Sequence, residues 1–358
     1  MAVSEDKLRT CIVGCKRGYR VVRRLDGLEE YEIVGVCDLI EDRVREAAEG
    51  LGGVSGYTDF SEMLDAEEPD VVFVATNTPP RAELTIAAAE AGVPGIIAEK
   101  PMAMSMGEAR AMVDACERNG ARMIVTHQRR MGSDMVELRA LIEEGAIGEV
   151  YLVRASCAGD MLSDGTHAFN SVRWLLGDEQ AMWLLGQVFR RLPSEDEAND
   201  PEFDGHTGFR FGHPVETGTI SSIQFESGVR AEVFTGRARL PERAYQDYEV
   251  FGSKGRLWRP GDRDPSRIWT EDDSGWREME IRPQHRREDR MGAMPEAWKA
   301  FADYLRYGGE HPLSMDKALR DHELVMAVYE SARLTDRIEF PLEQDEFPLQ
   351  LMIDEGRL

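Results

Sequence analysis

Along the first 124 residues, short apolar runs alternate with stretches whose apolar positions recur at helical spacing. Leu8–Val13 (with Arg9 and Thr10 inside it), Tyr31–Cys37, Val71–Ala75, Gly95–Ala98 and Arg122–Thr126 read as strands. Helical patterns fill the gaps between them. The clearest follows Ser105, where Ser105 and Glu108 have capping-box spacing and Ala109, Met112, Val113 and Cys116 fall at i, i+3, i+4 and i+7. Strands alternating with helices predict an α/β fold built on a parallel, doubly wound sheet, with ligands at the carboxyl ends of its strands.

After about residue 125 the pattern changes. A helix near Val136–Glu144, a strand at Glu149–Ser156 and a helix at His167–Leu176 are followed by alternating segments at Thr219–Phe225, Arg230–Thr235, Tyr248–Gly252 and Arg256–Arg259. The residues Gly252-Ser253-Lys254-Gly255 make a turn between two of these. Such segments predict a mixed or antiparallel sheet. A late helix spans Asp316–Leu334, and the acidic stretch Leu192–Gly205 reads as a surface loop. The expected organisation is two domains, 1–124 and 125–358.

Length and composition agree with two cores: 358 residues, 42% of them apolar. No apolar run approaches the roughly 20 residues that span a bilayer. The polar start, Met1–Arg9, lacks the basic flank and apolar stretch of a signal peptide. No membrane association and a cytoplasmic location are therefore expected. Five scattered cysteines, Cys11, Cys15, Cys37, Cys116 and Cys157, suit a reducing compartment, and no Cys/His group has metal-site spacing, so no metal is expected. A net charge of −24 argues against a nucleic-acid partner.

Five places carry candidate chemistry. In Gly14-Cys15-Lys16-Arg17-Gly18, after the first strand, only the first glycine of a dinucleotide fingerprint is in register. Lys16 takes the second position and Tyr19 the third, and Lys16 or Arg17 could supply positive charge to phosphate. Asp38 ends the second strand; it can accept hydrogen bonds from ribose hydroxyls and repel a 2′-phosphate, or cap the helix near Glu41. Thr76-Asn77-Thr78-Pro79-Pro80 follows the third strand as a cleft-lining or proline-stopped loop. Glu99-Lys100-Pro101 closes the fourth. In Asp164-Gly165-Thr166-His167, His167 lies off the apolar stripe of Phe169, Val172 and Leu176, in a first helical turn that favours neutral imidazole. The alternative is a capping cluster with Asp164 or Thr166 at the N-cap.

In this order, Asp38, Glu99-Lys100-Pro101 and the His167 helix resemble the glucose–fructose oxidoreductase, inositol dehydrogenase and rhizopine catabolism (Gfo/Idh/MocA) family. The resemblance extends to Thr126-His127-Gln128-Arg129-Arg130, Arg173-Trp174-Leu175-Leu176-Gly177 and Tyr329-Glu330-Ser331-Ala332. It implies a Rossmann domain, then an α/β domain whose open sheet often forms an oligomer interface, so a homodimer or homotetramer is expected. It implies NAD, rather than NADP, held by Gly14, Lys16, Arg17, Asp38, Thr76, Asn77, Glu99, Lys100 and Gln128. The reaction it implies is hydride transfer from a carbinol of a sugar or polyol. Lys100 would orient and polarise the hydroxyl, His167 would move its proton, and Asp164 would assist orientation. Three departures stand out: the incomplete glycine motif; Arg81 and Thr78 where members often carry histidine and asparagine; and Ser163 where many carry the aspartate that here falls one residue later, at Asp164. Other readings are a family member that uses NAD transiently for elimination or glycosidic cleavage, and a non-catalytic NAD- or sugar-binding regulator.

Overall fold

The computed structural model describes residues 6–25, 28–194, 196, 208–236, 245–261, 264–287 and 293–358. The chain forms two units, Met1–Met131 with Glu288–Leu319, and Gly132–Arg287 with Arg320–Leu358. The first holds β1 (Leu8–Val13), β2 (Tyr31–Cys37), β3 (Ser55–Tyr57), β4 (Val71–Val74), β5 (Gly95–Ala98) and β6 (Arg122–Val125) in one six-stranded sheet ordered β3-β2-β1-β4-β5-β6. All neighbours are parallel. Helices α1 (Cys15–Val22), α2 (Glu41–Gly50), α3 (Phe60–Glu67), α4 (Arg81–Glu90) and α5 (Met106–Asn119) connect them. Covered on both faces, β4 and β5 are buried at every position, which explains unbroken runs such as Val71–Val74. The strand order reverses between β1 and β4, opening a crevice at their carboxyl ends. The Ser105 cap forms: its Oγ accepts from the Glu108 amide at 3.2 Å, while the Glu108 carboxylate reaches back to the Met104 amide at 2.9 Å.

The second unit contains α6 (Ser133–Glu143), β7 (Val150–Cys157), α7 (Thr166–Leu175) and β8 (Ala181–Phe189). The short strands β9 (Phe209–Arg210) and β10 (His213–Pro214) then pair with each other. There follow β11 (Gly218–Phe225), β12 (Arg230–Thr235), β13 (Gln246–Gly252), β14 (Gly255–Arg259), β15 (Arg267–Thr270) and β16 (Arg277–Glu278). With β17 (Ile338–Glu339) they make a nine-stranded sheet, β16-β15-β14-β13-β7-β12-β11-β8-β17. Only β7 and β12 pair in parallel, so the sheet is mixed. Alternation sorts its faces: Ala231 and Val233 of β12 are buried, while Arg230 is exposed on the other side. The ten expected strands lie within two residues of those found; the long β8 and the short β3, β9, β10, β15, β16 and β17 are additional.

The expected continuous second domain, 125–358, is interrupted. Helix α8 (Met294–Tyr307) belongs with the first unit because Met294, Ala297, Trp298, Phe301 and Leu305 share a core with Leu8, Ile12 and Phe73. Trp298 meets the rings of Tyr31 and Phe73 edge-on at 5.0 and 5.2 Å. Burying Phe301 alone contributes roughly 2 kcal/mol. The first boundary also falls at Met131 rather than 124, where the guanidinium of fully buried Arg130 donates to the Pro312 carbonyl at 2.7 Å. Helix α9 (Met315–Leu334) begins in the first unit and continues into the second, where Val328 packs on Gly186 of β8. Among the described residues no helix is long and apolar enough to cross a membrane.

Candidate active site

In the first domain the turn from β1 into α1 lies at the switch point. Gly14 has φ 93°, and a Cβ there would stand 2.7 Å from the Ala75 carbonyl carbon. Both the conformation and the approach to the β4 loop therefore demand glycine. Gly18 does the work expected of the motif's third glycine, one residue early: a Cβ on it would lie 2.3 Å from Ile12 Cγ2, so its absence lets α1 lie against β1. Lys16 is exposed on α1. Arg17 turns inward to Glu99, Nε to Oε1 at 2.8 Å. Asp38 accepts from the Cys15 amide at 2.9 Å and the Ile40 amide at 3.1 Å, with Arg43 at 3.7 Å. It thus joins the glycine turn to the loop before α2, although Ile40 occupies the N-cap position of that helix. Burial, and then Asp38, pushes the neighbouring Cys15 thiol up to about 12, so this thiol stays protonated.

The loops after β4 and β5 are tied together. Arg81, fully buried at the start of α4, donates from Nη2 to the Thr76 carbonyl at 2.6 Å and from Nη1 to the Pro101 carbonyl. Burial pulls this guanidinium down to about 10, against an upward pull from Glu99, so it remains charged at neutral pH. The residue standing at the family's frequent histidine is therefore an architectural cation. Asn77 is exposed beside it, whereas the Thr76 hydroxyl is buried without a hydrogen-bond partner. Glu99 is 3% exposed, and its carboxylate accepts from Arg17, from the Thr126 hydroxyl at 3.0 Å and from the Lys100 amide at 3.2 Å. Thr126 Oγ1 accepts from that same Lys100 amide at 3.2 Å. The backbone at Lys100 is thus pinned at the carboxyl edge of β5, with its peptide to Pro101 cis. Gln128 and His127 are buried just beyond β6.

In the second domain the helical run starts earlier than expected. A π-helical turn, Met161–Gly165, precedes α7, and its N-cap is Asp160, whose carboxylate accepts from the Ser163 amide at 2.7 Å. Neither Asp164 nor Thr166 is the cap, and His167 sits in the second turn of the run, beyond the strongest effect of the helix dipole. His167 is also buried, 3% exposed, with its ring edge-on to Tyr245 at 6.5 Å between centroids. Asp164 accepts from the Tyr245 hydroxyl at 2.7 Å and from Arg210. The Asp164 turn and His167 therefore share Tyr245, a residue that sequence reasoning did not single out.

The other histidines have structural partners. His213 is fully buried, Nε2 to Ser163 Oγ at 3.2 Å and Nδ1 to the Pro214 carbonyl at 2.9 Å. His311 Nδ1 accepts from the Leu313 amide, and burial lowers this imidazole to about 4. His285 meets Glu137 at 2.8 Å. His322 is buried, and His206 lies outside the described residues. Trp174 packs on α6, with Arg139 3.9 Å over its ring. Among the described residues no three His, Cys, Asp or Glu side chains are grouped to hold a metal ion.

A doubly wound sheet with a glycine-only turn, a carboxylate after β2 and an unsatisfied buried hydroxyl at the switch point defines a dinucleotide-binding enzyme. The chain belongs to the Gfo/Idh/MocA oxidoreductases. Residues 8–127 match the family's "Oxidoreductase family, NAD-binding Rossmann fold" and residues 139–340 its "C-terminal alpha/beta domain". NAD is its cofactor. It is 31% identical over 205 residues to D-apiose dehydrogenase of Paraburkholderia graminis, an alignment covering 54% of each chain. It is 25% identical to myo-inositol 2-dehydrogenase of Thermotoga maritima, covering 74% of this chain and 79% of that one. The inositol dehydrogenase homolog of Azotobacter vinelandii, solved with NADH and myo-inositol, superposes with a TM-score of 0.76 at 19% identity, over 94% of this chain and 98% of that one.

Proposed function

We propose that this enzyme oxidises a secondary alcohol of a sugar or polyol, with Lys100 and His167 as its catalytic pair and Asp164 supporting them. The observation that carries the reading is the pinned Lys100: its backbone is fixed by Glu99 and Thr126 at the edge of the sheet where the family binds its nucleotide. The dehydrogenases of apiose and inositol among its relatives support the substrate class.

Gly14, Asp38, Thr76, Asn77, Glu99, Lys100 and Gln128 would hold the dinucleotide, with Lys16 and Arg17 near its phosphates. When bound, NAD supplies the hydride acceptor. The Gly14 turn would admit a pyrophosphate at the start of α1. Asp38 receives ribose hydroxyls and repels a 2′-phosphate. Lys100 donates to the carbinol oxygen and stabilises charge as its proton leaves, and His167 accepts that proton. Asp164, held by two donors of its own, fixes a neighbouring substrate hydroxyl.

The test is titration with NAD and NADP separately, followed by a panel of polyols and aldoses with NADH absorbance as readout. NADH formation with some polyol is expected, and no binding of either cofactor would overturn the reading. Asp38→Ser is expected to shrink the preference for NAD over NADP at least tenfold, roughly 1.4 kcal/mol, because Arg43 is then released toward a 2′-phosphate. An unchanged ratio of the two dissociation constants would remove Asp38 from cofactor selection.

We also place the chain in a homo-oligomer in a reducing compartment. All five cysteines are buried and none forms a disulfide. Leu185 and Phe189 of β8 and Ile220 of β11 are 46%, 49% and 39% exposed on the side of the sheet away from buried Leu184 and Ile223. An apolar stripe on the outer side of a one-sided sheet supports an interface between copies. Leu185→Lys with Ile220→Lys is expected to reduce the mass measured by light scattering to that of one chain. An unchanged mass would place the interface elsewhere.

A further inference from the structure

One short segment of the second domain grips the turn that carries Asp164. Within residues 208–217, β9 and β10 are joined by Phe211 and Gly212, whose φ values of 49° and 87° make the tight turn with two left-handed residues that suits a two-residue hairpin. The Val215 amide closes this hairpin onto the Gly208 carbonyl at 3.0 Å, and the Thr217 amide ties it to the Phe189 carbonyl at 2.7 Å. Three side chains reach from it to the π-helical turn. Arg210 Nη1 contacts Asp160 at 3.0 Å and also Asp164; His213 meets the Ser163 hydroxyl; and Glu216 accepts from the Met161 amide at 2.6 Å. Tyr329 of α9 completes the grip, accepting from the Leu162 amide at 3.2 Å and donating to Glu216 at 2.8 Å. The amide donors that open the run are therefore satisfied by side chains rather than water. π-helical turns recur at functional sites, and this one is held from outside its own helix.

Arg210 is the member of the grip that touches Asp164. Asp160 and Asp164 are both buried and lie on one turn, so without a cation between them their charges repel. Burial pulls the Arg210 guanidinium down, but Asp164 and then Asp160 outweigh it and leave it raised, hence charged. Its Cζ lies 4.5 Å from the centre of the Phe211 ring. Both carboxylates use the same nitrogen, Nη1, so the contact is that of a point charge rather than a fork.

We infer that the 208–217 segment is a strap and that Arg210 is a positioning residue, setting Asp164 and through the same turn His167. The inference rests on the proposed role of those two residues. It is tested with Arg210→Met and Arg210→Lys. In the methionine variant, kcat with the polyol is expected to fall roughly 10- to 100-fold, the range that a misplaced catalytic group costs, with KM for NAD within about twofold of the parent. Lysine, which supplies one nitrogen and one charge, restores kcat to within about fivefold. Independently of turnover, hydrogen–deuterium exchange is expected to rise in the 158–170 segment of Arg210→Met and not in the first domain. Unchanged kcat and exchange in Arg210→Met, or equal loss in both variants, overturns the inference. Should Arg210→Met fail to fold, the lysine variant is compared with Glu216→Gln, which must loosen the same segment if the strap acts as one piece. If the parent protein itself reduces no NAD, the proposed function falls, and exchange still decides the strap.

Discussion

Lys100→Ala is expected to lower kcat/KM for the alcohol about 10³-fold while leaving the dissociation constant of NAD within about threefold. The expectation follows from how the residue is held. Its amide is engaged by Glu99 and Thr126, and the loop ahead of it is fastened to the β4 loop through Arg81, so truncating the side chain leaves the backbone of the cleft in place. In the proposed mechanism, what disappears is the ammonium that would meet the developing negative charge on oxygen. Lys100→Arg is expected to recover little, because a longer, planar guanidinium with delocalised charge does not put a compact charged donor where the ammonium stands. Stopped-flow measurement of NADH formation together with NAD titration separates the outcomes. A parallel loss of NAD binding would make Lys100 a cofactor ligand first, and retention of more than about a tenth of the activity would remove it from the chemistry.

The nucleotide domain was legible because its signals are local. The buried strands announce themselves as apolar runs, unbroken in β4 and β5, and Asp38 and Glu99-Lys100-Pro101 follow strand ends directly. What escaped depends on contacts distant in sequence. The role of Gly18 comes from the Ile12 side chain it lies against, not from its place in a motif. Helix α8 is an ordinary amphipathic helix in sequence, and nothing local says that its Trp298 belongs with Phe73, 225 residues earlier. Strand β8 reads as Ala-Met-Trp-Leu-Leu-Gly-Gln-Val-Phe, with its alternation broken at Gly186, where Val328 packs too closely for any side chain. The Asp164 turn was visible, yet its cap at Asp160 was not, because the π-helical turn Met161–Gly165 starts the run five residues ahead of α7. Arg210 and Tyr245 reach it from 46 and 81 positions away, separations that no spacing rule covers.

His167→Asn is expected to reduce kcat roughly 10²- to 10³-fold, the usual contribution of a positioned base, with the fold retained. Asparagine keeps a hydrogen-bonding group of similar size at a buried position, so it limits the loss of packing that alanine would cause. It cannot take a proton at neutral pH. The choice of His167 over His213 and His311 rests on their partners. Both ring nitrogens of His213 are engaged with Ser163 and Pro214, and His311 accepts from the Leu313 amide while burial keeps it neutral down to about pH 4. His167 is the one whose ring meets Tyr245, which in turn donates to Asp164. If proton removal is its task, the variant should bind NAD and polyol as the parent does, and the defect should fall on kcat. Thermal unfolding measured alongside guards the interpretation: a melting temperature within about 1 °C of the parent keeps the loss chemical, since one kcal/mol moves a chain of this size by roughly that much. A variant with more than about a third of the parental kcat would show that the proton leaves by another route, and Tyr245 would be the next group to replace.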